Sequence, residues 1–464
     1  MKACGVIGLG VMGKNLILNL VDHGYTVYVY NRTKSKIQEI EKYSSKIRGC
    51  ENLQEFTGSI PGTKIIILEV KAGDVVDAYL TELNRLLGSQ DIVIDCGNSD
   101  YKDTLKRYSS CLFNFVGCGV SGGEIGARLG PSLMVGCKRE VYEVIRPLME
   151  DLSAKFNNIP CCGYLGDNGA GHFVKMIHNG IEYCEMELLQ EVYNIIQAES
   201  MEKDDFDIQK SLESKNAEAQ KLFTDWNTGR LEGYLIDICS KILTKKDNNG
   251  FIVDQILDKA QQKGTGKMCI HAGVETGVEI NAMSESVFAR FLSNKKEERC
   301  EFAQKISRIK KVKCNEALDH ETLEKAFYFC RIIAFFQGFN VLREKKKEHN
   351  WVYSISDLCR TWRNGCIIRC RMLDDFNNLN FDETLTCTDF FVKAYDECYG
   401  SLKKICEHSI KNEIYLPVFN SCLMWVNGLK MSDKNGNLIQ AMRDYFGRHG
   451  VVLKTNEHKN VEWD

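Results

Sequence analysis

A lysine, a histidine, an asparagine, a glutamate and a tyrosine stand at Lys175, His178, Asn179, Glu182 and Tyr183, inside the segment Gly169–Tyr183. On a helix these offsets place all of them within one arc of roughly 140°. Phe173, Val174, Met176, Ile177 and Ile181 cover the other sides. A solvated face is the ordinary explanation of a polar stripe, but such faces tend to repeat Lys and Glu. This stripe instead offers an amine, an imidazole, an amide, a carboxyl and a phenol. A base and an acid one or two turns apart is the arrangement that proton-transfer chemistry needs.

Other segments suggest what such a helix would work beside. Gly8-Leu9-Gly10-Val11-Met12-Gly13 follows an apolar run and opens a helical pattern. In that context the glycines serve a tight turn, close approach of a pyrophosphate and helix packing, so the segment reads as dinucleotide-binding rather than as an ordinary turn. The next apolar run ends in Asn31-Arg32-Thr33, with Lys34 and Lys36 nearby. An NAD site usually carries Asp or Glu here; a guanidinium and a hydroxyl suit a 2′-phosphate, so NADP is the expected cofactor. Asn98 follows the run Asp91–Asp95, where ligand-contacting loops leave such sheets. Ser121-Gly122-Gly123 lies in a glycine-dense stretch whose backbone N–H groups could receive an oxyanion or carboxylate, or could simply permit close packing. Gln262-Lys263-Gly264-Thr265-Gly266-Lys267 lacks the P-loop frame, although Lys263 and Thr265 could still hold phosphate; Arg290 alone would pass for a surface residue.

The elements that must position these groups fall into two kinds. From residue 1 to about 168, short apolar runs alternate with amphipathic segments. Ala3–Ile7, Thr26–Tyr30, Lys64–Leu68, Asp91–Asp95 and Phe113–Val116 read as strands, and Met12–His23 and Asp74–Leu87 as helices. That alternation predicts a doubly wound α/β sheet. From about 170 to 430 the period is helical, as in Phe251–Gln262, Ser284–Ser293 and Leu323–Leu342, and no proline lies between positions 160 and 417. The run Ala326–Phe336 reads as core despite Arg331. The charge runs beginning at Lys310 and Lys345 read as solvated surface. Beyond Arg443 a short polar tail is expected to be loosely tied down or docked on a partner.

The chain has 464 residues, enough for two or more domains, and a net charge of −3, which gives no support to nucleic-acid binding. No apolar run approaches the ~18 residues needed to span a bilayer, and no signal peptide is evident, so a cytoplasmic protein is expected. The 21 cysteines are scattered without Cys-x-x-Cys pairs, and His number 9. Free buried thiols, and no metal, are the expectation.

Taken together the chain resembles the 6-phosphogluconate dehydrogenases, decarboxylating enzymes of the pentose phosphate pathway. The resemblance runs from Val6 to about His449. It rests on Gly8–Gly13, Asp22-His-Gly24, Asn31–Thr33, Val70–Gly73, Gly97–Ser99, Gly119–Met134, Gly169–Tyr183, Gln262–Lys267, Val287–Arg290, Trp362-Arg363 with Gly365–Arg369, and Arg443–Gly447. It implies a Rossmann domain over 1–168, an all-helical domain over 169–431 and a tail over 432–464 that reaches through a partner in a homodimer. It makes Lys175 the general base and Glu182 the general acid. It places NADP against Gly8–Gly13, Asn31, Arg32, Thr33, Val70, Lys71, Ala72 and Asn98. A phosphorylated sugar acid would lie against Asn98, Ser121, Gly122, Gly123, His178, Asn179, Tyr183, Lys263 and Arg290. Arg443 and His449 would come from the partner.

The chain departs from that family in several places. Gly10 stands for the usual Ala, and Glu69 for an apolar strand residue. Cys96, Cys118 and Cys137 replace small residues near ligand loops, which raises the expectation of an oxidation-sensitive site. About eleven residues are inserted near Ser211–Gln220, and the tail after His449 is short. Two other readings require features this chain does not show. A β-hydroxyacid dehydrogenase acting on a smaller acid would be much shorter and lack Lys263, Arg290, Arg443 and His449. An inactive NADP-binding scaffold would have lost Lys175 or Glu182.

Overall fold

The apolar runs of the first third pair into one sheet. In the computed structural model, which describes residues 2–198, 208–306, 317–433 and 435–463, its strands are β1 Ala3–Ile7, β2 Thr26–Tyr30, β3 Ile47–Gly49, β4 Ile65–Leu68, β5 Ile92–Asp95, β6 Asn114–Ser121 and β7 Ser132–Gly136. A small hairpin, β8 Lys155–Phe156 and β9 Ile159–Pro160, precedes the last strand, β10 Cys162–Gly166. The order is β10-β7-β6-β5-β4-β1-β2-β3. Neighbours from β3 to β6 are parallel; β7 runs antiparallel to β6, and β10 parallel to β7. The strand order reverses between β1 and β4, the switch point at which open sheets bind ligands beyond their carboxyl ends. Apolar cores lie on both faces. One gathers Leu16, Ile17, Leu20 and Ile145; the other gathers Phe56, Val76, Leu80 and Leu83.

The reading of an α/β sheet followed by a helical region holds, with corrections. β6 extends to Ser121, and β3, β7 and β10 were not read as strands. Their runs are short or broken by glycine, and only pairing with long neighbours orders them. The span Phe251–Gln262 is helical only over Ile252–Gln255; Ile256 then turns extended. Gln255 bonds back to Asp247, Gly250 and Phe251, while Ile256 and Leu257 remain exposed, with no core among the described residues to bury them. Lys345 is not solvated surface. It is buried and paired with Glu348 at 2.8 Å. The run at Lys310 lies outside the described residues, and much of the inserted region falls in the helix Ile208–Trp226.

The helical region is organised by two long helices, Ala170–Ala198 and His320–His349. The first is buried nearly all round in its N-terminal half, as a core helix must be. That half packs directly on β6 and β7. The close approach depends on Gly171, where an added Cβ would stand 2.3 Å from both the Gly117 and Met134 carbonyl oxygens. The two long helices are joined by an ion pair between Glu185 and Arg331, both fully buried. Among the described residues no helix is long and apolar enough to cross a membrane.

The tail is more ordered than a polar tail suggests. After the helix Asn437–Gly447, Asp444 accepts hydrogen bonds from Gly450 N (2.7 Å), Val461 N (3.0 Å) and Trp463 Nε1 (3.0 Å). A two-stranded hairpin, Val451–Val452 with His458–Lys459, is closed by this carboxylate.

Candidate active site

The carboxyl ends of β1, β2, β4, β5 and β6 share one edge of the sheet, and the stripe of the central helix faces it. Gly8 bends the chain at φ +105, with Glu69 carbonyl oxygen where a Cβ would stand. Only glycine fits there without strain. Leu9 N donates to Asn31 Oδ1 at 3.0 Å, tying the turn to the end of β2. A Cβ at Gly10 would meet nothing within 4 Å. The turn is therefore open on the side that a pyrophosphate would approach, and the residues present fit a dinucleotide. Val11, Lys71 and Arg32 are exposed at this edge, while Thr33, also exposed, stands at the N-cap position of the helix Lys34–Glu41 without a side-chain hydrogen bond to it. Val70 and Ala72 are half-buried beside the Gly97 turn, and Asn98 is exposed on it. Arg32 makes no hydrogen bond or ion pair with a described residue, whereas Lys34 is engaged by Glu51.

Glu69 sits beneath the glycine turn. Burial, and secondarily Asp95, push its carboxyl up to about 8, and its Oε2 has no hydrogen-bond partner among the described residues. Both effects favour its neutral form, which lessens the negative charge beneath the turn. The expectation of an oxidation-sensitive site is not met: Cys96, Cys118 and Cys137 are all buried. A hydrogen bond with Cys118, then burial, pushes the Cys96 thiol well up; burial does the same to Cys137. Such thiols are poor nucleophiles.

On the helix, Lys175 Nζ donates to Asn179 Oδ1 at 2.6 Å and lies 3.4 Å from His178 Nδ1. His178 Nδ1 is 3.2 Å from Asn179 Oδ1, and its Nε2 is 3.2 Å from Ser121 Oγ. A neutral imidazole with its proton on Nδ1 satisfies both contacts. Glu182 Oε2 stands 3.7 Å from His178 Nδ1 and keeps 21% of its side chain open to the cleft. Burial lowers the Lys175 pKa, against the pull of Glu182. Burial and Lys175 hold His178 well below its usual range. Burial raises Glu182, opposed by Lys175 and Arg290. An amine poised to lose its proton thus faces a carboxyl poised to keep one, the pairing that divides base and acid roles.

At the outer end, the Arg290 guanidinium stacks on the Tyr183 ring at 3.6 Å and its Nη1 reaches Gln261 O at 3.4 Å. This brings Tyr183, Arg290 and the loop carrying exposed Lys263 into one corner. Gly122 and Gly123 follow Ser121 at positive φ, Gly123 facing open space. Arg443 and His449 are not joined to this cluster within the chain. Arg443 bonds Gln440, and the His449 ring meets Phe446.

Several residues lie in segments that carry the resemblance but had no site role read for them. The Trp362 ring packs 5.7 Å from His178, Ile367 N reaches Ser121 Oγ at 3.5 Å, and the Gly365 carbonyl lies against Gly122. His172 bonds Asp95 O and Thr104 Oγ1 beneath the Asn98 loop. His172 lies on the same helical face as Lys175, one turn earlier, which is the signal that could have exposed it.

A glycine turn at a switch point, facing a buried amine and carboxyl, defines a dinucleotide-dependent oxidoreductase. The comparisons make the class particular. The NAD binding domain of 6-phosphogluconate dehydrogenase matches residues 3–166, and the C-terminal domain of 6-phosphogluconate dehydrogenase matches residues 171–463. A decarboxylating 6-phosphogluconate dehydrogenase of Lactococcus lactis subsp. cremoris is 39% identical over 96% of this chain and 95% of its own. The Bacillus subtilis enzyme named as NADP(+)-dependent and decarboxylating is 38% identical over 96% and 95%. The Plasmodium falciparum 6-phosphogluconate dehydrogenase, solved apo, with its cofactor NADP+ and with its substrate 6-phosphogluconate, superposes with a TM-score of 0.91 at 34% identity, covering 99% of this chain and 100% of that one. The chain belongs to the 6-phosphogluconate dehydrogenase family.

Proposed function

We infer that this chain oxidises 6-phosphogluconate with NADP, releasing carbon dioxide and leaving ribulose 5-phosphate. The observation that carries the reading is Lys175, buried and held low, and Glu182, partly open to the cleft and held high, both beside His178, which lies within hydrogen-bond distance of Ser121. NADP, held by the Gly8–Gly13 turn and Arg32, would supply the acceptor for the hydride that leaves C3 of the substrate. Neutral Lys175 takes the proton of the 3-hydroxyl. Its ammonium then polarises the new carbonyl, so that the β-keto acid can lose carbon dioxide. Glu182 delivers the proton to C1 of the resulting enediol. His178, Asn179 and Ser121 orient these groups, and Gly122, Gly123 and Asn98 offer N–H groups and an amide to the substrate. Tyr183, Lys263 and Arg290 form a cationic and phenolic corner suited to its phosphate.

The same reading divides the chain into a cofactor domain over 1–168, a helical domain over 169–431 and a tail over 432–464. The tail helix exposes Leu438, Ile439, Tyr445 and Phe446, which supports its docking on a second copy. Arg443 and His449 would then complete the phosphate corner of the partner's site. The buried free thiols support a reducing, cytoplasmic setting. The test is an assay of NADPH formed and carbon dioxide released from 6-phosphogluconate. Equal amounts of both are expected. NADPH without carbon dioxide, or no reaction, would overturn the reading.

A further inference from the structure

Two loops proposed to hold the cofactor leave adjacent strand ends: Val70-Lys71-Ala72 after β4, and Gly97-Asn98-Ser99 after β5. A single side chain spans them. Arg107, on the helix Tyr101–Ser110, has 4% of its side chain exposed. Its Nη2 donates to the Gly73 carbonyl at 3.1 Å, its Nη1 to Ser99 Oγ at 3.1 Å, and its Nε to Asp77 Oδ1 at 2.7 Å. Asp95, fully buried at the end of β5, completes the cluster. Its Oδ2 accepts from Ser99 Oγ at 2.6 Å and lies 3.6 Å from Arg107 Nη1; its Oδ1 accepts from Gly97 N at 3.0 Å.

The cluster also reaches the catalytic helix. The Asp95 carbonyl is 3.1 Å from His172 Nε2, and Thr104, on the Arg107 helix, is 2.7 Å from His172 Nδ1. His172 precedes Lys175 by one turn. Burying a guanidinium is costly, and an apolar side chain of similar volume could fill the space. Arginine at this position spends its donors on both loops at once, in fixed directions that a point charge could not reproduce.

We propose that Arg107 is a positioning residue for hydride transfer, holding the Lys71–Ala72 and Asn98 loops at the spacing where a nicotinamide meets the carbon activated by Lys175. The proposal rests on the dehydrogenase reading above.

The test uses the full-length enzyme with NADP and 6-phosphogluconate. Wild-type turnover alone decides the activity; an inactive wild type would overturn the dehydrogenase reading and this inference with it. Given an active wild type, Arg107→Met is expected to lower kcat by about 10²-fold, the scale of a misplacement of about 1 Å. NADP should bind about tenfold more weakly while binary 6-phosphogluconate binding falls much less, because of its proposed contacts only Asn98 rides on these loops and the phosphate corner is untouched. The isotope effect from deuterium at C3 should rise as hydride transfer becomes slower. Ser99→Ala, which removes one arm, should show the same split more weakly. The double variant should be no worse than Arg107→Met, since both act through one cluster. Wild-type kcat and NADP affinity in a folded Arg107→Met chain would overturn the proposal. So would equal loss of both affinities in step with a falling Tm, which marks a structural role alone. If Arg107→Met does not fold, Ser99→Ala decides: the NADP-specific split supports the proposal, and its absence overturns it.

Discussion

The surroundings of Lys175 shift it toward its neutral form before any ligand arrives. Burial lowers its pKa, and burial raises that of Glu182. The signs fix the shape of a pH profile. As pH rises through the lowered pKa of Lys175, the amine loses its proton and kcat/KM should rise. As pH rises through the raised pKa of Glu182, the acid is lost and the rate should fall. A bell is expected, and Glu182→Gln should erase its alkaline limb while slowing turnover by about 10²–10⁴-fold. Lys175→Met should abolish reaction altogether, since one amine serves oxidation and decarboxylation; near-normal turnover with the fold intact would refute that role. Arg32 gives a separate prediction. It is exposed just beyond the end of β2 and makes no hydrogen bond or ion pair with a described residue. Arg32→Glu should weaken NADP by about 1.5–3 kcal/mol, the worth of a hydrogen bond to a charged group, and shift preference toward NAD. Unchanged specificity constants for the two cofactors would count against a 2′-phosphate contact.

At the scale of elements, the joint between the two long helices is the sharpest case. Glu185 and Arg331 are each fully buried and meet as an ion pair, and Arg331 Nη1 also donates to Leu231 O at 3.1 Å. Removing one partner strands the other charge. Arg331→Met should cost about 3–5 kcal/mol, and replacing both residues with apolar ones should recover much of it. Urea unfolding of the single and double variants checks this; additive losses would show that the pair is not coupled. Arg331 was legible only as a core residue, because its partner lies far away in the sequence. The helical stripe from Lys175 to Tyr183 was legible because one element carries it, and the glycine turn because a short motif does. The Arg107 cluster was not. It draws on β5, two loops and two helices, and none of its members forms a local pattern. The false helix over Phe251–Gln262 failed for a related reason. Apolar spacing signals a helix only where something covers the apolar face, and Ile256 and Leu257 have no such cover among the described residues.

The whole molecule leaves one part of its proposed site outside the chain. Arg443 and His449 sit in a tail closed on itself around Asp444, and the helix before it presents exposed apolar side chains. Mixing an Arg443→Ala chain with a Lys175→Met chain, each inactive alone, should restore activity, because the mixed dimer has one site with both groups intact. Heterodimers confirmed by mass but lacking activity would show that Arg443 does not serve across subunits. The cysteines offer a different use of the fold. Among the described residues only Cys300 and Cys387 are exposed, while the rest are buried or half-buried, nearly all of them within the apolar cores of the sheet and of the helical region. A pulse of alkylating reagent followed by mass spectrometry therefore counts opening events. Cys4 and Cys96 report on the sheet; Cys184, Cys330 and Cys422 report on the long helices. If the two regions open independently, the labels will appear in separate groups as denaturant rises, and the distribution of masses will give the free energy of each opening from an unmutated chain.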